Sequence, residues 1–140
     1  MARYVVDASV AVKWFLPEIY DEAARRLLRG GQTLLAPDLL FPEVGNILWK
    51  RVRAAEITAA EAEAILQTLG SLPLRIQPSR PLVTVALSIA CEAGRTVYDS
   101  LYLALALQEQ VPMVTADERL YNALQAGPLA ASLLWVEAVP

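Results

Sequence analysis

The chain has 140 residues, with 12 basic and 15 acidic side chains for a formal net charge of −3, no histidine and one cysteine. That length fits one domain, residues 1–140, able to bury roughly two-thirds of its unfolded surface. The lack of histidine excludes Ser-His-Asp and Cys-His catalysis, and Cys91 alone allows neither an intrachain disulfide nor a thiolate zinc site. Although 56% of the residues are hydrophobic, no apolar run approaches the roughly 18 residues of a membrane helix. Asp7 and Lys13 interrupt any signal-peptide core. The expectation is a cytoplasmic protein whose surplus apolar surface meets a partner or a second copy of itself. The negative charge argues against a broad nucleic-acid-binding face, but clustered acids alone account for it.

In chain order, Arg3 to Val6 reads as a buried strand, and Asp7 or Ala8 starts a helix to about Phe15 that Pro17 stops. Asp21 to Arg29 reads as a helix with acids first and arginines last, matching the helix dipole, and Gly30-Gly31 ends it. Thr33 to Ala36 is a second strand, followed by a helix from near Asp38 to about Ala54 with Pro42 in its first turn. Thr58 and Glu61 have capping-box spacing for a helix to about Leu69. Leu74 to Ile76 is a third strand. Ser79 to Glu92 and Val97 to Gln110 are helices parted by Gly94, the second with a buried centre. Val111 to Thr115, Asp117 to Leu124 and Leu133 to Val136 complete the chain as strand, helix and strand. Apolar strands alternating with helices predict an α/β fold, a three-layer α/β/α sandwich with a mostly parallel central sheet.

Four acids stand where a carboxylate is awkward. Asp7 ends Tyr4-Val5-Val6, Glu43 interrupts Leu39-Leu40-Phe41 and Val44, Asp99 opens the apolar stretch from Leu101, and Asp117 follows Met113 to Ala116. A carboxylate beside a core carries a desolvation cost, and converging carboxylates raise one another's protonation tendency unless a cation relieves them. Each acid also has an ordinary structural reading. Asp7 and Asp117 suit helix N-caps, Asp99 suits a first helical turn capped by Thr96, and Glu43 with Asn46 and Lys50 suits a solvated stripe. In open parallel sheets the functional crevice lies at the carboxyl ends of strands, where Asp7 and Asp117 are expected.

Asp7-Ala8-Ser9, Glu43-Val44-Gly45-Asn46, Tyr98-Asp99-Ser100-Leu101-Tyr102-Leu103-Ala104 and Thr115-Ala116-Asp117 together resemble the PIN domain. Within it they look most like the VapC-type toxin ribonucleases of VapBC toxin–antitoxin pairs. The resemblance covers nearly the whole chain and implies an Mg²⁺- or Mn²⁺-dependent endoribonuclease, its metal held by Asp7, Glu43, Asp99 and Asp117. It further implies that Ser9 and Thr115 orient the carboxylates and that Asn46 is a hydrogen bonder at the site's edge. The partners it implies are RNA, a cognate antitoxin that inserts residues into the active-site groove, and a second copy in a homodimer. Oxygen ligands suit Mg²⁺, which keeps several of its waters.

Lys13 and Arg95 are the candidates for RNA-phosphate contacts, while Lys50, Arg51 and Arg53 are better read as a helix C-terminus complementing its dipole. Trp14, Trp49 and Trp135 are expected as core or interface anchors. A phosphoacceptor receiver would need adjacent acids after the first strand and a late lysine, yet Lys13 and Lys50 are the only lysines. A haloacid-dehalogenase-type phosphatase would need Asp-x-Asp where this chain has Asp7-Ala8-Ser9. The remaining alternative is a catalytically inactive PIN-fold binding module, which predicts the loss of one or more acids.

Overall fold

The computed structural model describes residues 2–140. Five strands, β1 (Arg3–Val6), β2 (Thr33–Pro37), β3 (Arg75–Gln77), β4 (Met113–Thr115) and β5 (Leu133–Trp135), form one sheet in the order β3-β2-β1-β4-β5. Every neighbouring pair is parallel. Seven α-helices accompany them: α1 (Ala8–Ala11), α2 (Asp21–Arg29), α3 (Leu40–Arg53), α4 (Ala59–Ser71), α5 (Val83–Ala93), α6 (Val97–Glu109) and α7 (Glu118–Leu124). From β1 the chain steps through β2 to β3, then returns to the other side of β1 for β4 and β5. Right-handed crossovers in opposite directions put the first and second halves of the helices on opposite faces, which builds the expected three layers. The reversal falls between β1 and β4. In sheets of this kind, that is where a crevice opens at the carboxyl edge.

The central strands are buried on both faces, with Val5, Val6, Leu35 and Val114 almost without solvent contact. This explains why they read as unbroken apolar runs. Helix α6 lies across β1, β2 and β4 and pairs closely with α5. Leu101 to Ala106 are all buried, while Leu107 emerges at the surface. A helix buried nearly all round is held by tertiary packing, so its first turn, with Asp99, is fixed relative to the strand ends.

Several boundaries differ from expectation for local reasons. The helix expected from Asp7 to Phe15 is a single α-turn, Ala8–Ala11, that tightens into a 3₁₀ turn at Val12–Trp14. Tertiary contact decides this, because the Trp14 indole N–H donates to the Ala24 carbonyl at 2.9 Å. The helix expected from Ser79 opens with a 3₁₀ turn, Arg80–Leu82, around Pro81. Strand β3 sits one residue later than expected, and β4 begins at Met113, after Pro112, which has no N–H to give a ladder. Gly94, at φ +69°, caps α5 in the left-handed region and frees the chain to turn into α6. The Thr58–Glu61 capping box is present in both directions.

Of the tryptophans, Trp14 is core, whereas Trp49 is half exposed with the Arg53 guanidinium 5.0 Å above its ring. Among the described residues, no helix is long and apolar enough to cross a membrane.

Candidate active site

Asp7 is the most buried acid, with 5% of its surface exposed at the carboxyl end of β1. It is the N-cap of α1, and its Oδ1 accepts from the Val10 N–H at 3.1 Å and the Ser9 hydroxyl at 2.6 Å. Its Oδ2 accepts from the Thr115 hydroxyl, at the end of neighbouring β4, at 2.6 Å. The web continues: the Thr115 Oγ1 accepts from the Asp117 N–H at 3.1 Å, and the Ser9 Oγ accepts from the Ala116 N–H at 3.0 Å. Asp117 caps α7, its Oδ1 accepting from the Leu120 N–H at 3.2 Å. The structural reading of Asp7 and Asp117 as N-caps therefore holds together with their position at the ends of neighbouring strands. One oxygen of Asp117 works as the cap, and the other lacks a protein donor in this web.

Glu43 enters from α3 and is half-buried, with the Tyr102 hydroxyl of α6 donating to its Oε1 at 2.6 Å. Asp99 sits one turn before Tyr102 on α6, with Thr96 capping the helix at the Asp99 N–H, 3.0 Å away. Arg95 donates to Asp99 Oδ2 at 3.3 Å. Asn46 is exposed one turn along α3 from Glu43.

The acids meet through their fields. Burial raises the affinity of Asp7 for a proton most, lifting its pKa from 3.8 to about 6 against the opposing hydrogen bonds of Ser9, Thr115 and Val10, with the Asp117 charge adding to the rise. Burial also raises the pKa of Asp99; the Arg95 cation opposes this and the Asp117 charge adds to it. In Glu43 burial acts first, the Tyr102 hydroxyl opposes it, and the Asp99 charge adds to the rise. Like-charge coupling thus runs from Glu43 to Asp99, to Asp117 and to Asp7. The Tyr102 hydroxyl, its pKa far above normal through burial and the Glu43 charge, also feels Asp7 and Asp99.

Such a cluster can take up a hard cation. All its side-chain donors are oxygens, the ligand type that Mg²⁺ and Mn²⁺ prefer. Among the described residues, no three acids form a ready-made compact cage. Mg²⁺ usually keeps several of its waters and binds through one or two carboxylates, a mode that does not need such a cage.

The two basic candidates part company. Lys13 is buried, its ammonium donating to Glu18 Oε1 at 3.0 Å, so it offers no surface contact to a phosphate. Its pKa is lowered, by burial first and then by the Arg51 charge, although Asp21 and Asp7 pull the other way. Arg51, which sequence reasoning left as a helix terminus, bridges Glu18 and Glu56 and pins the end of α3 beside Lys13. Its spacing along the chain gave no sign of the Glu18 contact, since that partner lies far away in sequence. Arg95 stands in the site, and its buried Nε has no partner among the described residues.

The Tyr102→Phe change removes the one side-chain donor to Glu43 among the described residues. Losing a hydrogen bond to a charged group should lower unfolding free energy by about 1–2 kcal/mol in urea titrations. No loss of stability would mean that Tyr102 does not hold Glu43.

The PIN domain family model matches residues 4–124. Ribonuclease VapC3 of Pyrobaculum aerophilum is 33% identical over 120 residues, covering 84% of this chain and 92% of that protein. Ribonuclease VapC12 of Mycobacterium tuberculosis is 34% identical over 116 residues, covering 83% of this chain and 88% of its own. A crystal structure of PAE2754 from Pyrobaculum aerophilum superposes with a TM-score of 0.71 at 27% identity, over 97% of this chain and 85% of that one. With its sheet order, its acids at the β1/β4 reversal and a match over most of its length, the chain belongs to the PIN domain family.

Proposed function

We propose that this protein is an Mg²⁺- or Mn²⁺-dependent endoribonuclease, the toxin of a toxin–antitoxin pair, working in the cytoplasm. The observation that carries this reading is the side-chain web that ties Asp7 through Thr115 to Asp117 at the strand-order reversal, with Asp99 and Glu43 coupled to it by like charge. The similarity to Ribonuclease VapC3 supports RNA as the substrate.

A divalent cation, when bound, supplies an acidified water and neutralises charge growing on the phosphate. The chain's own part is to fix the oxygens. Ser9 and Thr115 hold Asp7 in one orientation, so that little of its freedom remains to be lost. The Tyr102 hydroxyl does the same for Glu43 from the opposite side. Asp117, with an oxygen free of the cap, and Asp99 are the candidates to orient an attacking water. Arg95 neutralises Asp99 without a ligand, and its guanidinium is the candidate to meet a phosphate oxygen. Asn46, exposed one turn along α3 from Glu43, is the candidate to hydrogen-bond RNA at the site's edge.

For partners, the exposed apolar residues Trp49, Val83, Val85 and Leu87 support both an antitoxin and a second copy of this chain. All four acids are present, which disfavours the inactive binding module.

The test is a cleavage assay on end-labelled RNA with Mg²⁺, with Mn²⁺ and with EDTA. Internal cuts that need metal are the expected result. Cleavage insensitive to EDTA, or none with either metal, would contradict the reading.

A further inference from the structure

Beside the acids lies an open cleft of about 370 Å³ lined by Tyr20, Glu118, Tyr121, Asn122 and Trp135, a volume in the range of small-ligand pockets. The Trp135 ring meets Tyr20 edge-on, with centroids 5.1 Å apart at 83°, and meets Tyr121 at 5.5 Å and 54°. Tyr20 has φ 68°, in the left-handed region that residues with a β-carbon avoid. Its hydroxyl donates to Glu118 Oε1 at 2.6 Å, so ring and hydroxyl are both held by tertiary partners. Strain of this kind persists only where the surroundings over-determine it, and it gathers at functional sites.

The cleft's place in the fold links it to the acids. Glu118 directly follows Asp117, and Trp135 is the register partner of Thr115, whose hydroxyl donates to Asp7. Adjacent strands run about 4.8 Å apart. An RNA strand with a phosphate at the acids therefore has its neighbouring nucleotide within reach of these rings.

We propose that this cleft is a nucleobase subsite that selects the base beside the scissile phosphate, with guanine as its preferred occupant. The inference rests on the nuclease reading above. Tyr121 and Trp135 supply aromatic faces for stacking. Glu118 keeps one oxygen and part of the other free to accept, which suits the adjacent N–H donors on the guanine edge, and Asn122 offers both a donor and an acceptor. Glu118 and Glu137 each accept from one neutral donor, Tyr20 and the Trp135 indole at 3.1 Å, which fixes the two carboxylates in place. Those two acids also repel phosphate, so the base enters and the backbone stays outside.

The test uses the full chain as Asp7→Asn, which keeps RNA intact, with Mn²⁺ present. Fluorescence anisotropy measures its binding to short oligouridylates carrying one guanosine, adenosine or cytidine. Guanosine should tighten binding about tenfold, the worth of one bidentate side-chain–base pair. Glu118→Gln should abolish that preference, and Tyr121→Ala should weaken the binding of every base. Equal affinity for all bases, or a preference surviving Glu118→Gln, would overturn the proposal. So would arginine amide displacing RNA only while Tyr121 is intact, an outcome that would assign the cleft to a cationic side chain. Cleavage by the unsubstituted chain, run alongside, separates the two readings. Cutting without base preference would remove the subsite alone, and guanine-selective binding without cutting would remove the nuclease alone.

Discussion

Asp7→Asn should reduce RNA cleavage by about a hundredfold or more and, at neutral pH in EDTA, make the protein more stable. The loss of activity follows from the role of Asp7 as the most rigidly held oxygen donor of the cluster, since several kcal/mol of charge stabilisation pass through such ligands. The gain in stability follows from its burial. The folded protein holds a proton on Asp7 with a pKa of about 6, against 3.8 for an ordinary aspartate, because the charged form is desolvated. A raised carboxyl pKa contributes stability that is complete below pH 3.8 and lost as pH rises through about 6. The span is worth about 3 kcal/mol at most. An uncharged Asn escapes that loss, so the variant and the original should be about equally stable near pH 4 and diverge toward pH 7. Urea titrations across that range, with EDTA present, are the check. Equal stability at pH 7 would show that Asp7 bears no desolvation strain.

The second large effect is that of metal on the melting temperature. The coupled acids repel one another without a counter-ion, and an ion that binds only the folded state stabilises it by mass action. At about 100 times its dissociation constant, Mn²⁺ should add about 2.7 kcal/mol, or on the order of 10 °C for a domain of this size. The effect should grow between pH 5 and 7, since Asp7 must give up its proton to serve as a ligand. Asp99→Asn should shrink the shift. Identical melting curves in Mn²⁺ and EDTA would mean that the acids do not form a site.

The sheet and the acids were legible in the sequence for different reasons. Strands β1 and β4 are buried on both sides, so Tyr4 to Val6 and Met113 to Thr115 stand out as apolar runs. The acids that follow them could be placed at a carboxyl edge. That β1 and β4 are neighbours could not be derived from periodicity, yet this pairing brings the Thr115 hydroxyl onto Asp7. The burial of α6 was evident from Leu101 to Leu107, whereas its Tyr102 hydroxyl reaching Glu43 spans 59 positions and left no local signal. Lys13 illustrates the limit most clearly. Its position six residues after Asp7 suggested a cation at the site's mouth, but Glu18 and the turn at Val12–Trp14 draw it inside. The cleft around Trp135 went unread because its residues come from three separated segments, and its geometry depends on the unusual backbone of Tyr20.

The most direct measurement is anomalous scattering from crystals grown with Mn²⁺. A peak within about 2.0–2.6 Å of a carboxylate oxygen of Asp7, with Glu43, Asp99 and Asp117 bound directly or through one water, is the predicted result. A fully occupied Mn²⁺ elsewhere on the protein, with the cluster bare and its carboxylates turned apart, would contradict it.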